Sequence, residues 1–452
     1  MKGMRAAHTG GLKVSGIDWL GMVPSRWEIR RLGCTIAASR NGVWGDEPRG
    51  DGDDIACIRV ADFDRQRLLV SGPEGNFTIR NVSPSQRRGR ILERNDLLLE
   101  KSGGGEKQLV GAVVRFQFAG LAVCSNFVAR LVPESGHDVR FLAYLHASLY
   151  SARVNIRSIK QNTGIQNLDE KQYFSEPVAL PSNEEQQDIA DFLDRETAKI
   201  DALVEKKARL IGLLQEKRTA LITHAVTKGL DPDVPMKDSG IEWLGQIPAH
   251  WEMRRLKDRG TLMAGAGFPH EYQGVEGEAL GFYKVGDLAE SEDARYMSLA
   301  AHTVSYRTAA ELRARVIPIG AVVYAKIGAA LLLNRRRITT LPCCIDNNMT
   351  AYVPSAAHQS SEWAFYWTSI LDFGEVANPG AVPSLSEGDQ GTLALALPPL
   401  TEQQTITDFL DRETARIDAL TVKVREAIER LKEYRTALVS AAVTGKIDVR
   451  DL

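Results

Sequence analysis

The most regular hydrophobic pattern in the chain is a heptad repeat that occurs twice. Apolar side chains recur every three or four residues from Ile189 to Leu221, and again from Ile406 to Leu438. This spacing is typical of helices that pair along their length. A helix over residues 184–224 would be about 60 Å long at 1.5 Å per residue. The pattern therefore predicts two long helices that pair as a coiled coil.

Both predicted helices begin and end at matching signals. Asn183 and Thr401 precede acidic first turns and are predicted N-caps, since a capping side chain and carboxylates both favour a helix N-terminus. Gly229 and Gly445 are predicted C-terminal caps.

Two acidic residues, Glu196 and Glu413, interrupt the apolar seam at matching positions. They are interpreted either as solvated carboxylates at the edge of a bundle, or as groups that set the register or face a partner protein.

The segments between the helical blocks have the alternating pattern of short strands, mixed with helix. Strands are predicted at 55–60, 96–100, 110–118, 127–132, 281–285, 321–325 and 349–353, and helices at 139–151 and 361–370. The predicted fold class is therefore α+β, with two α/β domains separated by two long antiparallel coiled-coil helices. Antiparallel pairing would relate the two domains by a pseudo-twofold axis.

A second repeat frames these segments. Residues 15–32 return as 239–256 at an offset of 224, and 181–203 return as 398–420 at an offset of 217. The two repeats predict four segments in the chain. These are two domains at 1–180 and 239–397, a helical region with a linker at 181–238, and a second helical region at 398–452. One explanation is gene duplication followed by sequence drift, which should alter the repeated motifs and the segments between them to a similar extent. The alternative is a reader of two different targets in one geometry, which the similar frames around dissimilar inserts favour.

Charge and composition narrow the partners. The net charge is -2 and 44% of residues are hydrophobic, as in a soluble globular protein. Only residues 1–180 are basic, with 25 Lys and Arg against 19 Asp and Glu, whereas residues 239–397 have 13 against 17. No apolar run is long enough for a membrane span and no secretory signal is apparent, so we expect a cytoplasmic protein without membrane contact.

The search for catalytic chemistry finds no recognisable constellation. The five cysteines form no CxxC pair, the eight histidines lack metal-ligand spacing, and the phosphate-loop, hydrolase and zinc-protease motifs do not occur. Asp96, Glu100 and Lys101 follow one another loosely, as nuclease residues do, but adjacent strand residues point to opposite faces. We therefore expect no catalytic residue, metal or cofactor in this chain.

Basic and polar clusters are the candidates for DNA contacts. Arginine and lysine bind phosphates, whereas asparagine and glutamine can bond adenine edges. Lys101 and Lys326 correspond between the copies, as do Asn126 and Asn347. The candidate residues are Arg87, Arg88, Arg90, Lys101, Asn126, Arg153, Arg157, Lys160, Gln161, Asn162, Thr163, Gln166, Lys326, Arg335, Arg336, Arg337 and Asn347.

The repeated motifs resemble the specificity subunits of type I restriction-modification enzymes. They are SGIDWLGMVPSRWE and SGIEWLGQIPAHWE, the EEQQ and TEQQ blocks, both FLDRET runs, and the AVTKGLD and AVTGKID endings. The resemblance implies two target recognition domains, each reading one half of a bipartite asymmetric site on double-stranded DNA, with helices that set the spacer.

The same resemblance implies partners that perform the chemistry. Two modification subunits would dock on the helices and methylate adenine from S-adenosylmethionine, and restriction subunits would use ATP and Mg²⁺. This chain would be non-catalytic. The predicted docking positions are Ile189, Leu193, Ile200, Leu203, Ile406, Leu410, Ile417 and Leu420.

Overall fold

The computed structural model describes residues 11–71, 77–105, 108–162, 164–290, 295–297, 299–378 and 382–450. The chain divides into two compact units. Unit 1 comprises Met1–Ala208 with Arg425–Leu452, and unit 2 comprises Arg209–Val424. Each unit therefore holds one of the two variable segments together with part of both long helices. The four-segment division made from the sequence stays a prediction.

The described part of unit 1 is sheet-rich. Its strands are β1 (Leu12–Val14), β2 (Met22–Pro24), β3 (Glu28–Arg31), β4 (Ile36–Asn41), β5 (Asp54–Ile58), β6 (Phe63–Asp64), β7 (Leu69–Val70), β8 (Thr78–Asn81), β9 (Leu97–Glu100), β10 (Ser102–Gly103), β11 (Val113–Arg115), β12 (Ala122–Cys124), β13 (Val128–Pro133), β14 (Ile159–Asn162), β15 (Ile165–Leu168) and β16 (Pro177–Leu180). Its helices are α1 (Pro84–Arg87), α2 (Val139–Ser151), α3 (Glu170–Ser175) and the first part of α4 (Asn183–Lys228), with 3-10 turns at Leu32–Thr35, Val60–Asp62 and Val154–Ser158.

Unit 2 repeats this plan with fewer strands among its described residues. The strands are β17 (Met236–Asp238), β18 (Gln246–Pro248), β19 (Glu252–Arg255), β20 (Gly260–Ala264), β21 (Leu280–Tyr283), β22 (Thr303–Val304), β23 (Val322–Ala325), β24 (Arg336–Ile338), β25 (Cys343–Ile345), β26 (Met349–Pro354) and β27 (Ala394–Leu397). The helices are α5 (Leu256–Arg259), α6 (Asp287–Glu290), α7 (Tyr306–Glu311), α8 (Ala329–Leu332), α9 (Ser361–Ser369), α10 (Phe373–Val376), α11 (Glu387–Thr392) and α12 (Leu400–Val443), with a 3-10 turn at His270–Tyr272.

The two units share one sheet topology. Unit 1 has the strand order β4-β13-β9-β11, extended by β7-β6, and unit 2 has β20-β26-β23-β24. A second sheet has the order β12-β5-β8 in unit 1 and β25-β21-β22 in unit 2, and its β12-β5 and β25-β21 pairs are parallel. The predicted mixed α/β domains are therefore confirmed, and all seven predicted strand segments and both predicted short helices overlap observed elements.

The long helices pair antiparallel in each unit taken by itself. In unit 1, Arg26 binds Glu185 at the start of α4 and also lies near Asp448, while Asp201 pairs with Arg435 at 3.0 Å. In unit 2, Arg218 of α4 pairs with Asp418 of α12 at 3.1 Å, and Ile222, further along α4, lies in one core cluster with Ile406 and Leu410, earlier in α12. The predicted antiparallel coiled coil is confirmed.

The helix termini partly match the predicted signals. Gly229 and Gly445 follow the last helical residues with φ of +77° and +67°, as left-handed caps require. The predicted N-caps are wrong, because Asn183 and Thr401 are already helical. Ser182 instead accepts the Glu185 amide at 3.3 Å.

A tryptophan in each repeated motif connects that motif to a helix. The indole N–H of Trp27 donates to Glu185, and that of Trp251 donates to Glu402, both at 3.0 Å. Both rings are 1% exposed or less. Removing either ring would cost about 3–5 kcal/mol, as for other buried aromatic side chains. The first-turn carboxylate of each helix therefore accepts a hydrogen bond from a buried indole and also interacts favourably with the helix dipole.

Most of the predicted docking positions on the helices are wrong. The core of unit 1 contains Ile189, Leu193 and Ile200, and unit 2 buries its three equivalents, which are Ile406, Leu410 and Ile417. The apolar seam packs into the core of each unit together with the short helix of that unit, α2 in unit 1 and α9 in unit 2. Only Leu203 and Leu420 are exposed, at 43% and 45%.

The two seam carboxylates lie at the solvated edge. Glu196 pairs with Arg195 and Lys199 of its own helix, and Glu413 pairs with Arg412 and Arg416. These neighbours lower the pKa of both carboxyls, chiefly through the bonds from Lys199 and Arg412. The contacts favour the first interpretation, in which the carboxylates are solvated side chains outside the interhelical seam.

Candidate nucleic-acid interface

A backbone arrangement around one lysine occurs in both units. In unit 1 the Lys101 amide donates to the Phe127 carbonyl, and the Lys101 carbonyl accepts the Leu168 amide, both at 2.8 Å. Lys101 follows β9, Phe127 lies in the turn after β12, and Leu168 ends β15. We call this arrangement the lysine frame. It brings the end of a central strand, an asparagine turn and a hairpin to one place.

The lysine frame of unit 2 has the same bonds. The Lys326 amide donates to the Asn348 carbonyl at 2.8 Å, and its carbonyl accepts the Leu385 amide at 2.9 Å. The correspondence of Lys101 with Lys326 is therefore structural as well as sequential. Asn126 and Asn347 occupy the same turn position in the two frames, and both are exposed.

A glycine in each unit allows the chain to pass under the asparagine turn. A Cβ on Gly42 would lie 2.1 Å from the Ser125 carbonyl oxygen, and a Cβ on Gly265 would lie 1.9 Å from the Asp346 carbonyl oxygen. Both distances are far inside van der Waals contact, so only glycine fits. These glycines pack against the turn that presents the exposed asparagine.

The unit 1 frame gathers two of the predicted basic residues around Asn41. The Lys101 ammonium donates to the Asn41 side-chain oxygen and pairs with Glu170 at 2.6 Å. The Arg90 guanidinium donates to the Asn41 carbonyl at 2.9 Å. Sequence reasoning missed Asn41 and Glu170. The repeat could not have revealed Asn41, because Ala264 occupies the equivalent position.

The other arginines near Arg90 differ in their availability. Arg87 pairs with Asp53 at 3.1 Å and is partly buried, whereas Arg88 is exposed at the end of α1. Of the two, Arg88 is the better candidate for a phosphate contact.

The polar segment 153–167 forms a 3-10 turn followed by a hairpin. Arg153 and Arg157 are exposed in the turn, and Arg153 has a left-handed φ of +58°. Lys160 and Gln161 are exposed on β14, where Lys160 pairs with Asp169 at 2.6 Å. Asn162 ends β14, and Thr163 lies outside the described residues.

Gln166 does not belong to the exposed surface. It is 4% exposed, and its side chain accepts the Val110 amide at 3.3 Å and donates to the Gly105 carbonyl at 3.4 Å. The expectation that Gln166 contacts a base is wrong, because its amide is used to hold the loop after β10.

The predicted basic run of unit 2 is largely buried. Arg336 and Arg337 are 4% and 9% exposed, and only Arg335 is exposed. The Arg336 guanidinium binds the Asn334 and Leu371 carbonyls and lies 4.2 Å from the centroid of the Phe373 ring. Burial lowers its pKa to about 10. Arg336 and Arg337 are therefore not accessible for DNA contacts, since all three residues of β24 are buried.

The acidic residues near Lys101 are held in ion pairs. Asp96 accepts from Arg130 at 2.6 Å, and Glu100 accepts from Arg65 at 2.7 Å. Burial raises the pKa of both carboxyls, and the arginines partly offset that effect. Among the described residues, no group of three or more His, Cys, Asp or Glu side chains could hold a metal ion. A search of the same residues finds no helix that could cross a membrane.

Comparisons with known proteins agree on one family. Residues 85–211 match the family model described as the type I restriction modification DNA specificity domain. The chain is 21% identical over 437 residues to the putative type I restriction enzyme MjaX specificity subunit of Methanocaldococcus jannaschii, covering 95% of this chain and 96% of that protein. It is 22% identical over 382 residues to the MjaVIII specificity subunit of the same organism, covering 80% and 81%.

The fold also matches a solved structure over nearly its whole length. This chain superposes with a TM-score of 0.67 and 18% identity on a chain of a solved structure. That structure is described as "Structural basis underlying complex assembly and conformational transition of the type I R-M system". The match covers 94% of this chain and 99% of that one. Residues 85–211 therefore resemble a type I DNA specificity domain, and over most of its length this chain is similar to the specificity subunits of type I restriction-modification systems.

Proposed function

We propose that this specificity subunit reads a bipartite, asymmetric site on double-stranded DNA, with one half read by each unit. The observation that carries the proposal is the repeated lysine frame with different surroundings. Lys101 and Lys326 have the same backbone bonds, but the loops beside them differ in sequence. One scaffold that presents two sets of side chains is suited to two different half-sites.

The exposed candidate side chains of each unit have the chemistry that DNA recognition needs. In unit 1, Arg88, Arg153 and Arg157 are exposed and suit phosphate contacts, while Asn126 and Gln161 suit base edges. In unit 2 the exposed described candidates are Arg335 and Asn347, with Lys326 partly exposed. We therefore propose that unit 1 supplies more of the salt-dependent binding.

The long helices would set the spacer between the two half-sites and bind the methyltransferase subunits. Since α4 begins in unit 1 and ends in unit 2, and α12 runs in the reverse order, their length is available as a ruler. Leu203 in unit 1 and Leu420 in unit 2 are equivalent and exposed. One such position in each unit suits the docking of two identical modification subunits.

The chemistry would belong to those partners. The modification subunits would bind S-adenosylmethionine and methylate adenine after the base leaves the stack. Restriction subunits would use ATP and Mg²⁺ to move along and cut DNA. This chain would be a non-catalytic, cytoplasmic subunit.

A segment exchange tests the proposal. The chain is expressed with its modification subunit in a host without other adenine methylation, and methylated adenines are mapped by sequencing. We expect a split motif with an unspecified spacer. Replacing residues 24–180 by the corresponding segment of a related subunit should change one half of the motif and leave the other half and the spacer unchanged. A change in both halves would refute the assignment of one unit to each half.

A further inference from the structure

A half-exposed aliphatic side chain lies at the same position of both lysine frames. Ile165 is three residues before Leu168, whose amide binds the Lys101 carbonyl. Val382 is three residues before Leu385, whose amide binds the Lys326 carbonyl. Ile165 is 50% exposed and Val382 is 60% exposed. Each frame therefore presents a β-branched aliphatic group to solvent at an equivalent point.

Ile165 contributes little to the core of unit 1. Along β15 the burial alternates, so that Gln166 and Leu168 are buried while Ile165 and Asn167 are exposed. Asn167 is the cross-strand partner of Lys160 on β14. The outer face of this hairpin therefore carries an aliphatic group beside an amide and an ammonium. Ile165 is outside every hydrophobic cluster formed by the described residues.

Val382 is held in a comparable place by its own frame. The next residue, Pro383, accepts the Gly328 amide at 2.8 Å, two residues after Lys326. Val382 is likewise absent from the hydrophobic clusters of the part of unit 2 that the structure describes. Single exposed aliphatic residues are common on protein surfaces. The recurrence of one at the same point of two otherwise dissimilar segments indicates a shared role.

The partner that these positions fit is a base edge in the DNA major groove. β14 is an edge strand of the three-stranded antiparallel sheet β10-β15-β14, so the β14-β15 hairpin can approach that groove, where the thymine C5-methyl group is the exposed apolar feature. Neighbouring amide and ammonium groups can bond an adjacent base or phosphate, as Asn167 and Lys160 would. An aliphatic side chain can add discrimination without adding charge, which suits unit 2, whose variable segment is net acidic.

We propose that Ile165 and Val382 each contact the C5-methyl group of a thymine, one in each half of the bipartite site. The inference rests on the proposed function, which requires both frames to face DNA, and it names two residues that determine specificity within it.

Deoxyuridine substitution tests this inference, because uracil differs from thymine only by the methyl group. The complete complex of this chain with its modification subunit is titrated with duplexes of the mapped site, in which each thymine in turn is replaced by deoxyuridine. For the wild-type complex we expect one replacement in each half to weaken binding about fourfold, the effect of losing one buried methyl group.

The variants should remove that sensitivity in one half at a time. Ile165→Ala should lose the effect in the half read by unit 1 and keep it in the other, and Val382→Ala should do the reverse. The matched controls are Ile79→Ala in unit 1 and Ile319→Ala in unit 2, which truncate exposed aliphatic residues outside the frames. Both controls should keep both sensitivities.

Two results would overturn the inference in different ways. Specific binding that is insensitive to every deoxyuridine, or variants that keep the wild-type sensitivities, would refute the methyl contacts and leave the proposed function intact. A wild-type complex that shows no specific binding to the mapped site would refute the proposed function and the inference with it.

Discussion

The glycine beneath the unit 2 asparagine turn gives the sharpest structural prediction. Gly265→Ala adds one methyl group, which would lie 1.9 Å from the Asp346 carbonyl oxygen and 2.4 Å from that of Ile345. Ordinary contact begins at about 3.4 Å, so the turn must move by more than an ångström. The amides of Gly265 and Ala266 bind the Met349 and Ile345 carbonyls, which resist that movement.

The cost can be estimated from the overlap. Forcing a methyl group into closely packed structure costs about 1–3 kcal/mol. For a unit of this size, each kcal/mol lowers Tm by about 2–4 °C. Gly265→Ala should therefore lower Tm by about 2–12 °C. Because Asn347 follows Asp346 in the displaced turn, binding to the half-site read by unit 2 should weaken by about tenfold or more, equivalent to about 1.4 kcal/mol.

Thermal unfolding of the purified chain and DNA titration of its methyltransferase complex measure the two effects. Gly267→Ala is the matched control, because no atom lies within 4 Å of its Cβ position and its φ is not positive. That control should leave Tm and affinity near wild type. If Gly265→Ala also unfolded within about 1 °C of wild type and bound DNA normally, the close approach in the frame would have no structural importance.

Three further predictions follow from charge, helix length and pH. Arg88→Ala and Arg335→Ala each remove an exposed guanidinium, and each should reduce the slope of log affinity against log salt by about 0.9, the effect of one phosphate contact. Arg336→Met should leave the slope unchanged because that residue is buried. Equal slopes in all three variants would refute the assignment. A second variant carries seven extra residues between 201 and 218 of α4 and seven between 418 and 435 of α12, which add about 10.5 Å to each helix. The spacer between the half-sites should then be longer by about three base pairs. Methylation mapping that finds the original spacer would contradict the proposal that helix length sets the spacer. The Arg450 hydrogen bond lowers the pKa of Asp448 to about 2, so its stabilisation is present above pH 4 and is lost as the pH falls toward 2. Asp448→Asn should therefore lower stability at pH 7 by about 1 kcal/mol, allowing for solvent screening, and the difference from wild type should shrink at pH 2, as thermal melts across pH would show.

Local and repeated signals explain what could be read in the sequence. The heptad spacing predicts both long helices, because a 3.5-residue period is a property of neighbouring residues. The terminal glycines Gly229 and Gly445 mark the helix ends through a conformation that glycine adopts most easily. The duplication predicted two similar domains, and the shared strand order confirms them.

The candidate site could be predicted only in part. The repeat predicted that Lys101 and Lys326 occupy equivalent positions, and the structure shows that both make the same backbone hydrogen bonds. Asn41 and Glu170 had no such signal, since they approach Lys101 from strands and helices distant in the chain.

A hydrophobic pattern predicts that one face of a helix is buried, but it does not determine which part of the protein or which partner covers that face. Periodicity identified the stripe with Ile189 and Leu193 but could not tell whether a partner or the chain's own domain packs on it, and the structure buries it within unit 1. Gln166 and Arg336 are as polar as the residues around them, yet long-range packing places both inside. The sequence by itself determined the helices, the duplication and the resemblance to type I specificity subunits. Tertiary structure decided which polar groups remain on the surface, because burial is set by contacts between segments far apart in the chain.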